Sequence, residues 1–184
     1  MDLPITYISN FIADPAKLMD ALWSELAWVR MGLTPRREYY THKQGVSYTY
    51  GSGAGVRTYE SQPEHAALTD LRHKLEDQTG TPFPVLFLNG YENARDSLGW
   101  HADDSDTMDA GSPIAIVSVG AEREIWFTRQ DEVQDPSKRT AVKLQHGSLC
   151  LMHAGMQQTH FHRIPKASFV CGPRVSITAR NQAK

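Results

Sequence analysis

His101 and Asp103 stand two residues apart in Gly99-Trp100-His101-Ala102-Asp103-Asp104, and two more histidines follow much later in His160-Phe161-His162. Residues two apart in an extended strand project to one face, so this imidazole and carboxylate can address one ion. A distant histidine on a facing strand would complete three ligands. Two histidines and a carboxylate on one side of a metal form the facial triad suited to non-haem Fe(II), which leaves positions for oxygen and a chelating cosubstrate. Zinc accepts the same ligand types, so the triad alone does not name the metal. His160 and His162 share a strand face, and alternation does not choose between them.

A chelating cosubstrate with a far carboxylate needs an anion receptor. Pro173-Arg174-Val175-Ser176-Ile177-Thr178-Ala179-Arg180 offers two arginines on one face, with Ser176 and Thr178 between them. A guanidinium fork receives a carboxylate through two parallel hydrogen bonds. Burying two such cations without anionic partners is costly. The competing arrangement is an edge strand with both arginines in water and Val175 and Ile177 buried.

The elements that must position these groups are legible in outline. Asp14-Pro15 reads as an N-cap with proline at the first helical position. Leu18, Met19, Leu22, Trp23 and Leu26 then follow helical spacing to about residue 27. A second helix is expected over 64–79, with Ala67, Leu68, Leu71 and Leu75 buried and Gly80 and Pro82 closing it. Residues 31–59 are polar, aromatic and glycine-containing, and read as a hairpin or lid rather than core. From residue 83 the texture becomes short β-rich runs at 83–91, 113–119, 123–129, 140–144, 148–153, 159–164 and 174–178, separated by turn-forming residues. The expected fold is α+β, a double-stranded β-helix (jelly-roll) core with N-terminal helices packed outside and a recognition lid. One domain over 1–184 is expected, with helices and lid in 1–82 and the catalytic core in 83–184.

Composition restricts the function classes. The 184 residues are 40% hydrophobic and 22% charged with a net charge of −2, so any polyanion must be held by local basic patches. Arg36-Arg37 with Lys43, and Lys138-Arg139 with Lys143, are such patches. The two cysteines, Cys150 and Cys171, form no C-x-x-C pair, and Cys150 reads as a buried hydrophobe. No basic-then-apolar leader opens the sequence, and no run approaches the roughly 20 apolar residues of a membrane span. A cytoplasmic monomer without membrane association is expected.

From Pro35 to Asn181 the chain resembles the AlkB family of Fe(II)/2-oxoglutarate-dependent nucleic-acid dealkylases, in the subgroup of human alkB homologues two and three. The resemblance runs in order through Pro35-Arg36-Arg37, Tyr48-Thr49-Tyr50-Gly51-Ser52, Leu88-Asn89-Gly90-Tyr91, His101-Ala102-Asp103-Asp104, Gly111-Ser112-Pro113-Ile114-Ala115, Val119-Gly120-Ala121-Glu122-Arg123, His146-Gly147-Ser148-Leu149, His162-Arg163-Ile164-Pro165-Lys166 and Pro173-Arg174 to Arg180. It implies Fe(II), 2-oxoglutarate and O2 as reaction partners, with His101, Asp103 and His162 as the ligands. Asn89, Tyr91, Arg174, Ser176, Thr178 and Arg180 would form the cosubstrate seat. In that seat Arg174 would take the distal carboxylate, and Arg180 would lie near Asp103. Arg36, Tyr48, Tyr50 and Asp104 would meet the alkylated base.

The activity implied is oxidative demethylation of bases such as 1-methyladenine or 3-methylcytosine in DNA or RNA. Ser105 stands where relatives commonly carry an acid, with Asp106 one place late, and Ser176 stands where asparagine is usual. The region 27–35 is short for a duplex-gripping lid, which points to single strands over duplex. A hydroxylase of a protein or small molecule, or a non-catalytic jelly-roll binding module, are the alternative readings.

Overall fold

The computed structural model describes residues 3–50, 56–103 and 107–182. Helix α1 (Pro15–Glu25) begins as its sequence requires: the Asp14 carboxylate accepts the Lys17 N–H at 3.0 Å, and proline fills the first position. Helix α2 (Ala66–Thr79) starts later than its apolar spacing suggests, because the His65 ring, not Glu64, caps it by accepting the Ala67 N–H. It stops at left-handed Gly80, whose N–H returns to the Glu76 carbonyl. Glu64 instead pairs with Arg72, which is buried on the helix face beside Leu68, Leu71 and Leu75, while Ala67 is only partly buried.

Among the described residues, twelve strands follow the chain as β1 (Ile5–Ile8), β2 (Arg37–His42), β3 (Tyr48–Tyr50), β4 (Arg57–Tyr59), β5 (Val85–Tyr91), β6 (Leu98–His101), β7 (Ile114–Gly120), β8 (Arg123–Arg129), β9 (Thr140–Leu144), β10 (Ser148–Met152), β11 (His160–Ile164) and β12 (Arg174–Arg180). A six-stranded sheet runs β1-β10-β7-β12-β5-β2, a four-stranded sheet runs β6-β11-β8-β9, and β3-β4 form a hairpin. The jelly-roll core in an α+β fold is therefore as expected.

Two apolar layers hold the stack together. Met19, Leu22, Leu68, Leu71 and Leu75 of the helices pack on Leu86, Leu88, Val117, Val175 and Ile177 of the large sheet. On the opposite face, Ile116, Cys150 and Met152 meet Ile125, Phe127, Leu144 and Ile164 of the small sheet. The large sheet is thus covered on both sides, and its central strands are apolar or buried throughout rather than alternating with water. Cys150 is the buried hydrophobe its context suggested, its thiol pushed up to about 12 by burial.

The first 82 residues do more than decorate the core. β1 pairs with β10, and β2 pairs with β5 from Arg37↔Gly90 to His42↔Val85, so two strands of the large sheet come from the segment expected to lie outside it. Adjacent tyrosines hid β2: Tyr39 packs into the helix layer and Tyr40 into the opposite face, so both faces are aromatic and no alternation shows. β6 was also unexpected, being four residues that include a glycine. The lid reading survives for β3-β4 alone.

At the β7–β8 turn Gly120 has φ 90°, and an added Cβ would lie 2.4 Å from the Pro173 carbonyl oxygen. The turn is thereby pressed against the residue that precedes β12. Among the described residues no helix is long and apolar enough to cross a membrane.

Candidate active site

β6 and β11 are antiparallel neighbours with His101 directly opposite His162, and Asp103 follows two residues beyond the strand end. The three ligand atoms lie within 4.8 Å of one another. His101 Nε2 is 3.8 Å from Asp103 Oδ1 and His162 Nε2 is 3.8 Å from Asp103 Oδ2, and the two rings are 4.2 Å apart between centroids. His160 does not join them. It opens β11 opposite Arg129, and its Nδ1 meets the Thr159 hydroxyl at 2.8 Å.

The surrounding contacts prepare these groups for a cation. His101 Nδ1 donates to the Gly99 carbonyl at 2.9 Å, which leaves Nε2 with its lone pair toward Asp103. Burial holds both imidazoles below their usual range, and they are neutral. Burial alone would raise the Asp103 carboxyl, but the Arg180 guanidinium, through its charge and its hydrogen bond, outweighs it and holds the carboxyl below its usual range. Arg180 donates to Asp103 Oδ1 at 2.6 Å, and the Asp103 N–H donates to buried Gln157 Oε1 at 2.9 Å. Asp103 Oδ2 is buried with no hydrogen-bond partner. A carboxylate with one buried, unsatisfied oxygen, clustered with two imidazole nitrogens, is the donor set a divalent metal satisfies.

Below the triad, β12 and β5 lay their inward residues side by side: Arg174↔Tyr91, Ser176↔Asn89 and Thr178↔Phe87. Val175, Ile177 and Ala179 point the other way into the helix layer, so β12 is a central strand buried on both faces. The edge-strand alternative fails for that reason. Arg174 is fully buried, donates to Ser118 Oγ at 2.8 Å and lies 5.1 Å from the Tyr91 ring centroid. Its Nε and Nη1, and the Tyr91 hydroxyl, have no partner. Burial lowers its pKa to about 10, so the cation persists at neutral pH without a counter-anion. Ser118 on β7, missed in the sequence, completes this corner.

A cavity of about 270 Å³ has His101, Asp103, His162, Asn89, Tyr91, Ser176, Thr178 and Arg180 in its wall, while Arg174 lies beyond the wall against the Tyr91 ring. Tyr48, Tyr59 and Phe87 add an aromatic section to the wall. Tyr48 stacks on Tyr59 at 6.3 Å and on Tyr40 at 5.9 Å, and Phe87 closes edge-on against Tyr59 at 5.0 Å. The Tyr50 side chain and Asp104, with Ser105 and Asp106, lie outside the described residues.

Arg36 lines the cavity, but not as a free cation at the rim. Its Nη2 pairs with Glu38 at 2.7 Å and its Nε donates to Asn89 Oδ1 at 2.5 Å. Glu38 is wholly buried and also accepts from the Tyr59 hydroxyl at 3.1 Å. Glu38 and Tyr59 carried no motif, since their role depends on three strands meeting. Glu38→Ala would leave the guanidinium of Arg36 buried and unpaired. We expect a loss of about 3 kcal/mol in unfolding free energy, read by urea denaturation; a loss below about 1 kcal/mol contradicts the buried pair.

A jelly roll carrying two histidines and a carboxylate beside buried, anion-seeking arginines defines a non-haem iron oxygenase of the cosubstrate-chelating class. The chain belongs to the 2OG-Fe(II) oxygenase superfamily, which it matches over residues 20–180. It is 35% identical over 150 residues to the human protein described as DNA oxidative demethylase ALKBH2, covering 79% of this chain and 56% of that one. It is 30% identical over 168 residues to human alpha-ketoglutarate-dependent dioxygenase alkB homolog 3, covering 88% of this chain and 57% of that one. The chain thus spans little more than half the length of these curated relatives. Its fold matches the solved structure of OsALKBH1 with a TM-score of 0.66, over 98% of this chain and 99% of that one, at 14% identity.

Proposed function

We infer that the protein removes alkyl groups from nucleic-acid bases by Fe(II)- and 2-oxoglutarate-dependent oxidation. The observation that carries this reading is a single cavity whose wall holds both an aromatic cluster and the His101-Asp103-His162 cluster. Tyr48, Tyr59 and Phe87 pack against one another in the cavity wall and offer an aromatic surface on which a planar base taken out of its stack can lie.

His101, Asp103 and His162 would hold the iron. Bound with 2-oxoglutarate and O2, that centre supplies the oxidation: one oxygen atom enters the N-alkyl C–H bond and the other enters succinate, with release of CO2. Arg174 receives the far carboxylate of the cosubstrate on donors that otherwise have no partner. Asn89, its carbonyl oxygen already engaged by Arg36, keeps its amide N–H groups for the cosubstrate. Arg180 holds Asp103 in its ligating orientation. The hydroxymethyl group left on the base nitrogen then breaks its C–N bond, releasing formaldehyde and returning N–H or the neutral nitrogen.

The substrate is read as single-stranded DNA or RNA, because a base enters this cavity from a single strand without the cost of unpairing. The chain acts as a cytoplasmic monomer in this reading. The test supplies Fe(II), 2-oxoglutarate and oligonucleotides carrying 1-methyladenine or 3-methylcytosine, and follows formaldehyde. Release from single strands faster than from matched duplexes is expected; release only from duplex would reverse the strand assignment.

A further inference from the structure

The small sheet turns His101, His162 and Phe127 inward, so the residues beside them in sequence and register face outward. Arg163 lies opposite Trp126 across β11 and β8, and sits at the bulge where the β11–β6 register shifts between His162 and Ile164. Its guanidinium is sandwiched: 5.4 Å from the Trp100 ring centroid and 5.6 Å from that of Trp126. Arg139, just before β9, lies 5.7 Å from the Trp100 ring as well. The result is a ladder of Arg139, Trp100, Arg163 and Trp126 over the outer face of the small sheet. Trp100 is also among the residues lining the catalytic cavity, so the ladder adjoins the place a bound base would occupy.

These two arginines differ from others in the protein. Arg37, Arg72 and Arg129 each have a carboxylate partner, and Lys143 pairs with Glu122 at 2.5 Å. Among the described residues neither Arg139 nor Arg163 makes an ion pair or a side-chain hydrogen bond, and the Nε of each is buried without a partner. The nearby acids make no ion pair with them: Glu124 accepts the Trp126 indole N–H at 2.8 Å, and Asp135, which feels the charge of Arg139, accepts its hydrogen bonds from Ser137. Indole faces fix the planes of the guanidiniums by cation–π attraction while leaving their outer N–H donors uncommitted. Fixed guanidinium forks with free donors are receptors for phosphate oxygens.

We propose that this ladder is a phosphate track for the single strand whose target base occupies the cavity. The proposal rests on the nucleic-acid reading above and extends it from the base to the backbone beside it. Single-strand affinity should then fall with salt, and removing one arginine–phosphate pair should lower the slope of log K against log salt by about 0.7.

The experiment measures fluorescence anisotropy of a labelled, unmethylated single strand on the full chain, from about 50 mM to about 200 mM salt. Arg139→Gln and Arg163→Gln should each weaken binding several-fold and flatten the slope by about 0.7, and the double variant by about 1.4. Arg139→Lys should restore most of the slope at position 139. The 2-oxoglutarate affinity of Arg139→Gln, measured with Mn(II) in place of iron, should equal that of the parent, which separates a missing phosphate partner from a failure to fold.

An unchanged slope in a double variant that still binds 2-oxoglutarate overturns the track. An effect seen only with duplex overturns the single-strand assignment. If the parent chain demethylates nothing yet the slopes fall as stated, the track stands and the repair reading fails.

Discussion

Asp103→Ala is expected to bring turnover to background and to abolish stoichiometric binding of Fe(II) or Mn(II). The carboxylate is both a ligand and the anion that makes this corner tolerable. Its Oδ2 lies toward His162 without a hydrogen-bond partner, while its Oδ1 lies toward His101 and neutralises buried Arg180. Alanine removes one of three ligands and leaves a guanidinium beside the other two, which repels an incoming divalent ion. Loss of an outer-shell partner costs about 10- to 100-fold in metal affinity, so loss of a ligand together with a charge reversal of the pocket should exceed about 1000-fold. Calorimetric titration with Mn(II) reads it directly. Binding within about ten-fold of the parent would show that the metal is held elsewhere.

Arg174→Met is expected to move stability and function in opposite directions. In the free protein Arg174 is a buried cation with one hydrogen bond and two unpartnered nitrogens. A thioether of similar length removes that desolvation cost, and the free protein should gain about 1–3 kcal/mol. The same change removes the receptor for the distal carboxylate, and 2-oxoglutarate should bind at least about 100-fold more weakly, since truncating one side of a buried charge pair costs about 2–5 kcal/mol. Thermal melts with and without 2-oxoglutarate and Mn(II) separate the two effects. The parent should gain about 2.7 kcal/mol at about a hundred times its dissociation constant and the variant nothing. A variant less stable when free, yet still stabilised by 2-oxoglutarate, would contradict this assignment.

The chemistry was more legible than the frame that holds it. The Arg174–Arg180 face could be read because a strand has period two, and that period survives when both sides are buried; His101-Ala102-Asp103 could be read from its residue types, although only His101 lies in a strand. What alternation could not do was separate His160 from His162. Both face one way, but only His162 has His101 across from it in register. Helix ends were legible where a local cap fixes them, at Asp14 and Gly80, and shifted where His65 displaced Glu64.

β2 escaped notice because Tyr39 and Tyr40 serve two different layers. Glu38, Tyr59 and Ser118 were invisible for a related reason: each gains its meaning from a residue on another strand. Arg36 shows the same effect in reverse. The resemblance named it as a residue meeting the base, and its neighbours Glu38 and Asn89, which the sequence did not reveal, hold it in the cavity wall.

The central claim, that one cavity couples 2-oxoglutarate oxidation to removal of an alkyl group from a base, is tested most directly by a mass balance. The full chain is incubated with Fe(II), 2-oxoglutarate and a single-stranded oligonucleotide bearing 1-methyladenine, and succinate, formaldehyde and oligonucleotide mass are followed together. Equal amounts of succinate, formaldehyde and demethylated strand, all absent with Asp103→Ala, are the expected result. Succinate formed at the same rate with and without oligonucleotide, while every methylated base in DNA and RNA stays intact, would contradict it.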